Sequence, residues 1–267
     1  EEIRHAGFDF DRERDVAHDY SSDNVLWLEY RHKPGYFYPR ISPFATPRFK
    51  ALFDEQKRAL ERLHRYFYYY RHNDFWRCVA EERLSVLTQS TPMLTCGEDL
   101  GMIPHCVPDV MRRQQILSLE IERMPKSTDV EFAVLSQYPY LSVCTTSTHD
   151  MNPLRAWWRE NREKTQRYYN RVMEWWGEAP ADASPEICRN IIERHLQSPS
   201  MLAILPLQDW LSVDGALRAV DAESERINVP ANPRYYWRYR MHLTLEKLLG
   251  ADAFNDAVAS MISHSGR

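Results

Sequence analysis

The sequence predicts an α/β fold built around a parallel sheet, preceded by a largely helical segment rich in aromatic residues. From residue 93 onward, short apolar runs alternate with helical patterns, and this alternation is typical of repeated βα units. Four strand candidates occur there, whereas a closed (β/α)₈ barrel requires eight strands. The pattern therefore favours either part of a barrel or a smaller open sheet.

The first third of the chain is interpreted as irregular and then helical. Residues 1–46 contain prolines and aromatic side chains without periodicity, so we expect a loop or insertion that packs through its aromatic rings. From residue 47 to 89, apolar residues recur at three- and four-residue steps, which predicts helices, the second over about residues 73–87. Thr46 followed by Pro47 is typical of an N-cap and a first helical position.

The remaining strands and helices follow in order. The strand candidates are residues 93–96, 119–123, 141–145 and 201–205. Helices are predicted over residues 104–117, 154–176, 185–197, 235–249 and 251–262. We therefore divide the chain into an insertion or approach segment, residues 1–91, and an α/β part, residues 92–267.

The composition argues against several classes of protein. The net charge of −4 without a basic block speaks against a nucleic-acid partner, and no apolar stretch approaches the roughly 20 residues of a membrane span. Five cysteines without C-x-x-C spacing, and no signal-peptide pattern, indicate reduced thiols in a cytoplasmic protein. A metal site from Cys96, His105 and Cys106 is conceivable but fits no standard spacing. With no nucleotide motif present, we expect neither metal nor cofactor.

Two carboxylates stand directly after the first strand candidate. Glu98 and Asp99 lie between Gly97 and Gly101, and the C-terminal ends of parallel strands are where α/β proteins place their chemistry. The glycines permit a tight turn and a close approach of the backbone to a ligand. A simpler interpretation has one carboxylate capping the next helix or pairing with an arginine.

A second polar run ends in His149 and Asp150, after the third strand candidate. An imidazole and a carboxylate together can donate to and accept from vicinal hydroxyls, although Asp150 could equally cap a helix starting near Pro153. The polar residues expected at a ligand rim are Gln208, Asp209 and Asn228. Aromatic residues make up 12% of the chain. They suit either a core or the stacking of sugar rings, and composition does not decide between the two.

As an ordered set, these stretches resemble the 4-α-glucanotransferases of glycoside hydrolase family 77, the amylomaltase or disproportionating-enzyme group. Residues 97–101 match the E-D-L-G motif after that family's fifth barrel strand, and residues 148–150 match its T-H-D motif after the seventh. Its C-terminal signatures are matched by residues 207–209, 226–230 and 236–240. The aromatic-rich first third and residues 154–158 are most similar to the disproportionating enzyme 2 type, which carries an insertion.

The resemblance implies a fold and a role for each matching residue. The fold would be the C-terminal half, about strands five to eight, of a (β/α)₈ TIM-type barrel, preceded by a helical insertion. Glu98 would be the general acid/base, and Asp150 would grip hydroxyls of the sugar being transferred. His149 would donate to the same sugar, Asp99 would hold or tune Glu98, and Asn228 would line the acceptor side.

The resemblance also implies an activity, and two alternatives stay open. The enzyme would transfer α-1,4-linked glucosyl units from maltose or maltooligosaccharide to a glucan or glucose acceptor by a retaining mechanism. Its partners would be α-1,4-glucan, maltose and glucose. The alternatives are an α-glucan-binding or structural module without chemistry, and an α-glucan hydrolase, in which water instead of a sugar takes the intermediate.

One departure from the family pattern concerns the nucleophile. The family carries its nucleophilic aspartate in an R-I-D-H motif on the fourth strand, and this chain contains no such motif. We therefore expect the chain to be the C-terminal part of a longer enzyme and to be inactive alone. An open half barrel exposes strand edges and an apolar face, so we also expect self-association.

Overall fold

The computed structural model describes residues 26–29 and 37–267. Most of the segment expected to pack through its aromatic rings, residues 1–46, lies outside the described residues. Two compact units make up the chain. The first comprises the described residues up to Val86 with Pro104–Val110, and the second comprises Leu87–Ile103 and Met111–Arg267.

The elements before residue 90 are mostly helical, as predicted. In chain order they are β1 (Leu26–Glu29), β2 (Phe37–Pro39), α1 (Pro47–Lys50), α2 (Asp54–Arg65), a π-helical stretch (Tyr66–Arg71) and α3 (His72–Gln89). Strands β1 and β2 pair antiparallel. The Thr46 hydroxyl accepts from the Phe49 amide at 3.2 Å with Pro47 in the first turn, which confirms the predicted N-cap.

The second unit contains the predicted parallel sheet. Its strands β3 (Ser118–Ile121), β4 (Ser142–Thr145) and β5 (Leu202–Ala203) pair in chain order. Ahead of β3, Cys96 forms an isolated parallel bridge with Leu117. All four strand candidates therefore contribute to one parallel arrangement, which confirms the α/β class, although Cys96 is level with the residue before β3 and the last residue of β4 is level with the end of β3.

Seven further helices were found among the described residues. They are α4 (Val107–Arg113), α5 (Leu154–Glu160), α6 (Arg162–Arg171), α7 (Pro185–Leu196), α8 (Leu207–Leu211), α9 (Leu245–Leu249) and α10 (Asp252–His264). Two short 3₁₀ turns cover Leu135–Gln137 and Glu223–Glu225. None of the helices in the described ranges is long and apolar enough to span a bilayer.

Three predicted helices are shorter than expected, for local reasons. The helix predicted over residues 104–117 ends at Arg113, because Gln115 adopts a φ of 55°. That predicted over 154–176 is divided by Asn161, whose extended backbone ends α5 while its side chain caps α6. The segment 235–244, predicted as helix, has none, and α9 begins only after Thr244 accepts from the Lys247 amide.

The main core lies among α5, α6 and α7. Trp158, Tyr168 and Ile192 are fully buried there, and burying each large apolar side chain contributes roughly 1.5–3 kcal/mol. This packing fixes α5, which begins four residues after Asp150. The core therefore holds the C-terminal end of the loop that carries the His-Asp pair.

Candidate active site

The loop after the Cys96 bridge presents Glu98 to solvent. The Gly97 amide donates to the Leu117 carbonyl at 2.8 Å and continues the strand pairing. The Glu98 side chain is exposed, and its Oε1 accepts from the Leu100 amide at 2.7 Å. A Cβ atom at position 97 would lie 2.9 Å from Met111 Cε, so this glycine allows close packing under the loop. The expected close approach of a ligand stays a prediction.

Asp99 points the opposite way and fastens the loop to the neighbouring strand. It is buried, its Oδ1 accepts from the Leu119 amide at 2.9 Å, and its Oδ2 accepts from Lys126 Nζ at 2.7 Å. Lys126 also bonds Glu120 at 2.7 Å. Both Asp99 oxygens are therefore engaged with β3 and the segment after it, and Asp99 holds the backbone beside Glu98.

The loop after β4 brings three predicted site residues together. Asn228 Nδ2 donates to Asp150 Oδ1 at 2.5 Å, and the Asn228 amide donates to the His149 carbonyl at 3.1 Å. His149 Nε2 lies 3.4 Å from Asp150 Oδ2, and about half of each side chain is exposed. The Trp237 ring packs against the His149 ring at 4.8 Å between centroids. The result is an open cluster of a carboxylate, an imidazole, an amide and an indole.

Asp150 does not cap α5. The N-cap of that helix is Pro153, and the first helical amide, that of Leu154, donates to Asp209 Oδ1 at 2.8 Å. The helix-capping interpretation of Asp150 is therefore wrong, and its carboxylate faces Asn228 and solvent.

Gln208 and Asp209 lie beneath this edge of the sheet. Gln208 is 4% exposed, and its amide donates to the Glu225 carbonyl at 3.2 Å. Asp209 is 1% exposed, so the expected place of both residues at an exposed rim is wrong: each ties protein segments together. A role for Gln208 in substrate binding stays a prediction.

Glu98 and Asp150 each follow a strand segment that runs parallel to β3, one on either side of it. The two segments end at different levels, since Cys96 is level with Leu117 whereas Thr145 is level with Ile121, four residues further along β3. Both carboxylates are exposed on the loops that follow these segments. The C-terminal edge of a parallel sheet is the usual place for a ligand.

Sequence reasoning missed two buried charged residues near this edge. Arg123 donates to the carbonyls of Thr146 and Asn152 in the His-Asp loop. Glu225 is 1% exposed and lies 3.7 Å from Arg155, and burial raises its pKa to about 7. Neither residue belongs to a matched motif. Both stand among other charged residues, Arg123 beside Glu122 and Glu225 beside Arg226, so the sequence offered no signal that distinguished them.

No group of three metal-ligating side chains occurs in the part of the chain that the structure describes. The expected absence of a metal or cofactor stays a prediction.

Comparison with known proteins identifies relatives of this chain. The profile of the family described as 4-alpha-glucanotransferase, Glyco_hydro_77, matches residues 36–245. The chain is 41% identical over 231 residues to the 4-alpha-glucanotransferase DPE2 of Oryza sativa subsp. japonica, covering 86% of this chain and 24% of that protein. It is 29% identical over 183 residues to a 4-alpha-glucanotransferase of Chlamydia caviae, covering 67% of this chain and 34% of the relative.

A solved structure shares the fold. The amylomaltase from Streptococcus agalactiae in complex with acarbose aligns with a TM-score of 0.53 and 15% identity, over 69% of this chain and 34% of that chain. The chain thus spans about a quarter to a third of the length of these relatives.

Proposed function

The chain belongs to the 4-alpha-glucanotransferases of glycoside hydrolase family 77, and from this membership we propose that it carries the acid/base side of a glucan-transfer site. The enzyme transfers α-1,4-linked glucosyl units from maltose or maltooligosaccharide to a glucan or glucose. One observation supports the proposal: exposed Glu98 and Asp150 each follow a strand segment parallel to β3, in the family's motif order.

Glu98 is the general acid and base in this proposal. Its side chain is exposed, and its bond from the Leu100 amide fixes the direction of the carboxyl. It protonates the glycosidic oxygen of the departing glucan and then takes the proton from the acceptor hydroxyl, as a retaining mechanism requires. Asp99 supports it by anchoring the backbone through Leu119 and Lys126.

Asp150 grips hydroxyls of the transferred sugar. One of its oxygens already accepts from Asn228 and the other faces His149, so the cluster offers an acceptor beside an imidazole that donates. Carboxylate hydrogen bonds to sugar hydroxyls that strengthen as the ring flattens stabilise the cationic transition state. Gln208 supports the acceptor side through its bond to the Glu225 carbonyl, next to the segment that carries Asn228.

The fold proposal follows the same motif order. The four parallel strand segments are strands five to eight of a (β/α)₈ barrel, residues 92–267, and residues 1–91 are the insertion and approach.

The nucleophilic aspartate lies outside this chain, since no R-I-D-H sequence occurs in it. We expect the chain alone to turn over no maltose. We also expect it to self-associate through its exposed strand edges, and a monomeric mass measured by light scattering would contradict this. A cytoplasmic location, predicted from five unpaired cysteines, belongs to the same proposal.

The test is Glu98→Gln in the full-length enzyme with maltose as donor and glycogen as acceptor. We expect glucose release to fall by about 10²–10⁴-fold while glucan affinity is kept. Glu178→Gln, at an exposed glutamate elsewhere in the second unit, is the matched control and retains activity. Unchanged turnover in Glu98→Gln would refute the catalytic role and support the binding-module alternative.

A further inference from the structure

The loop that carries His149 and Asp150 is fastened on its inner side by a buried arginine. Arg123 Nε and Nη2 donate to the Thr146 carbonyl at 3.0 and 2.7 Å, and Nη2 also donates to the Asn152 carbonyl at 2.9 Å. The bonds therefore reach the loop on both sides of Asp150, at positions four residues before and two residues after it.

A buried carboxylate fastens the same loop from another element. Asp209 Oδ2 accepts from Thr146 Oγ1 at 2.6 Å and from Ser147 Oγ at 2.9 Å, while Oδ1 accepts from the Leu154 amide at 2.8 Å. Asp209 lies in α8, which follows β5, whereas Arg123 follows β3. Residues from the two strands that flank β4 thus hold the loop that leaves β4.

Both groups are shielded from water. Asp209 is 1% exposed and Arg123 is 7% exposed, with its guanidinium 4.8 Å from the centre of the Trp157 ring. Burial lowers the pKa of Arg123, and the Asp209 charge acts in the opposite direction. Charged hydrogen bonds in such surroundings are short and strongly directional, so the loop backbone has little freedom where they attach.

The tip of the loop is held by Asn228, which donates to Asp150 Oδ1 and to the His149 carbonyl, while the bonds within the tip are longer. The Asp150 amide donates to Thr148 Oγ1 at 3.3 Å, and the Met151 amide donates to the Thr148 carbonyl at 3.2 Å. About half of the His149 and Asp150 side chains are exposed. The position of the Asp150 carboxylate thus depends on its bond from Asn228 and on where the flanking residues of the loop are held.

We propose that Arg123 and Asp209 are positioning residues for Asp150, forming a clamp that fixes both flanks of its loop and so aims its carboxylate at the transferred sugar. The inference rests on the proposed function, because it assigns Asp150 a place in the site. Neither clamp residue touches the sugar. They act through the backbone, where a displacement of about 1 Å can cost roughly 100-fold in rate.

The test is a double-mutant cycle in the full-length enzyme. Asp209→Asn keeps the size of the side chain but replaces one acceptor oxygen by a donor, and we expect kcat to fall about 10–100-fold with KM changed less than about threefold. In an Asp150→Asn background, the same substitution should cause almost no further loss, because a positioning residue has nothing left to position. If kcat of the double variant falls by the product of the two single-variant losses, Asp209 acts independently of Asp150 and the clamp is overturned.

Thr146→Val provides a second arm should Asp209→Asn fail to fold. It keeps the shape of Thr146 and removes only the hydroxyl that donates to Asp209, so we expect a loss in kcat of roughly fivefold that also vanishes in the Asp150→Asn background. The matched control is Arg194→Lys, at a partly buried arginine that bonds Glu122 and Tyr168. This control should lower Tm without changing kcat.

The outcomes separate the clamp from the function. If Asp150→Asn alone leaves kcat unchanged, the proposed function fails and the clamp fails with it. If Asp150→Asn abolishes turnover while Asp209→Asn and Thr146→Val retain full kcat, the clamp is refuted and the function stands. A fall in Tm at constant kcat in the clamp variants would likewise overturn the positioning role.

Discussion

Buried Glu225 makes the stability of this protein depend on pH. The carboxyl is 1% exposed, with Arg155 3.7 Å away, and burial raises its pKa from 4.5 to about 7. The folded state therefore binds this proton more tightly than the unfolded state does. The contribution of Glu225 to the free energy of unfolding is fully present below pH 4.5 and is lost as the pH rises through about 7.

The size of the effect follows from the two pKa values. At about 1.36 kcal/mol per pKa unit, the complete shift corresponds to roughly 3 kcal/mol, of which about 2.5 kcal/mol falls between pH 5 and pH 8. In Glu225→Gln the amide stays neutral throughout, so this part of the pH dependence disappears.

Urea unfolding followed by tryptophan fluorescence at pH 5, 6, 7 and 8 measures the effect. The parent should lose about 2.5 kcal/mol more than Glu225→Gln across this range. Glu223→Gln, at an exposed position in the same 3₁₀ turn, is the control and should follow the parent. Identical pH slopes in the parent and Glu225→Gln would refute the assignment of a buried, proton-binding carboxyl.

Two further predictions concern the loop that carries Glu98. Gly97→Ala should reduce the free energy of unfolding by about 1–3 kcal/mol, because the new Cβ would lie 2.9 Å from Met111 Cε. The control Gly215→Ala, whose Cβ would meet only ordinary contacts, should cost far less. Equal Tm values for the two variants would contradict the packing account. Lys126→Met leaves the buried Asp99 carboxylate without its ammonium partner and should cost about 1–3 kcal/mol, measured by thermal unfolding. An unchanged Tm for this variant would show that Asp99 is held by the Leu119 amide alone.

Local sequence was sufficient where local chemistry determines structure. The Thr46 cap needs only a hydroxyl before a proline. The strand segments lie at or next to the short runs predicted from sequence, each of which is followed by polar residues. Glu98 and Asp150 lie in the loops that follow two of those segments, and parallel pairing makes both segments run in one direction. This part of the site was therefore predictable from spacing and strand order.

Contacts between distant residues account for what the sequence did not predict. Asp209 looks like a rim residue in sequence, but its partners Thr146 and Leu154 lie 63 and 55 positions away. Arg123 follows a strand without a motif, and its bonds to Thr146 and Asn152 span 23 and 29 positions. Asn161 divides a continuous helical pattern because its side chain caps the second helix, a choice that periodicity alone does not reveal.

The central claim, that Glu98 protonates the departing glucan, is tested most directly with two donors that differ in their need for an acid. The Glu98→Gln enzyme should be compared with its parent on maltose and on α-maltosyl fluoride, whose fluoride leaves without protonation. We predict that formation of the glycosyl intermediate falls by about 10²–10⁴-fold with maltose and far less with the fluoride. An equal loss with both donors would contradict the assignment of Glu98 as the acid.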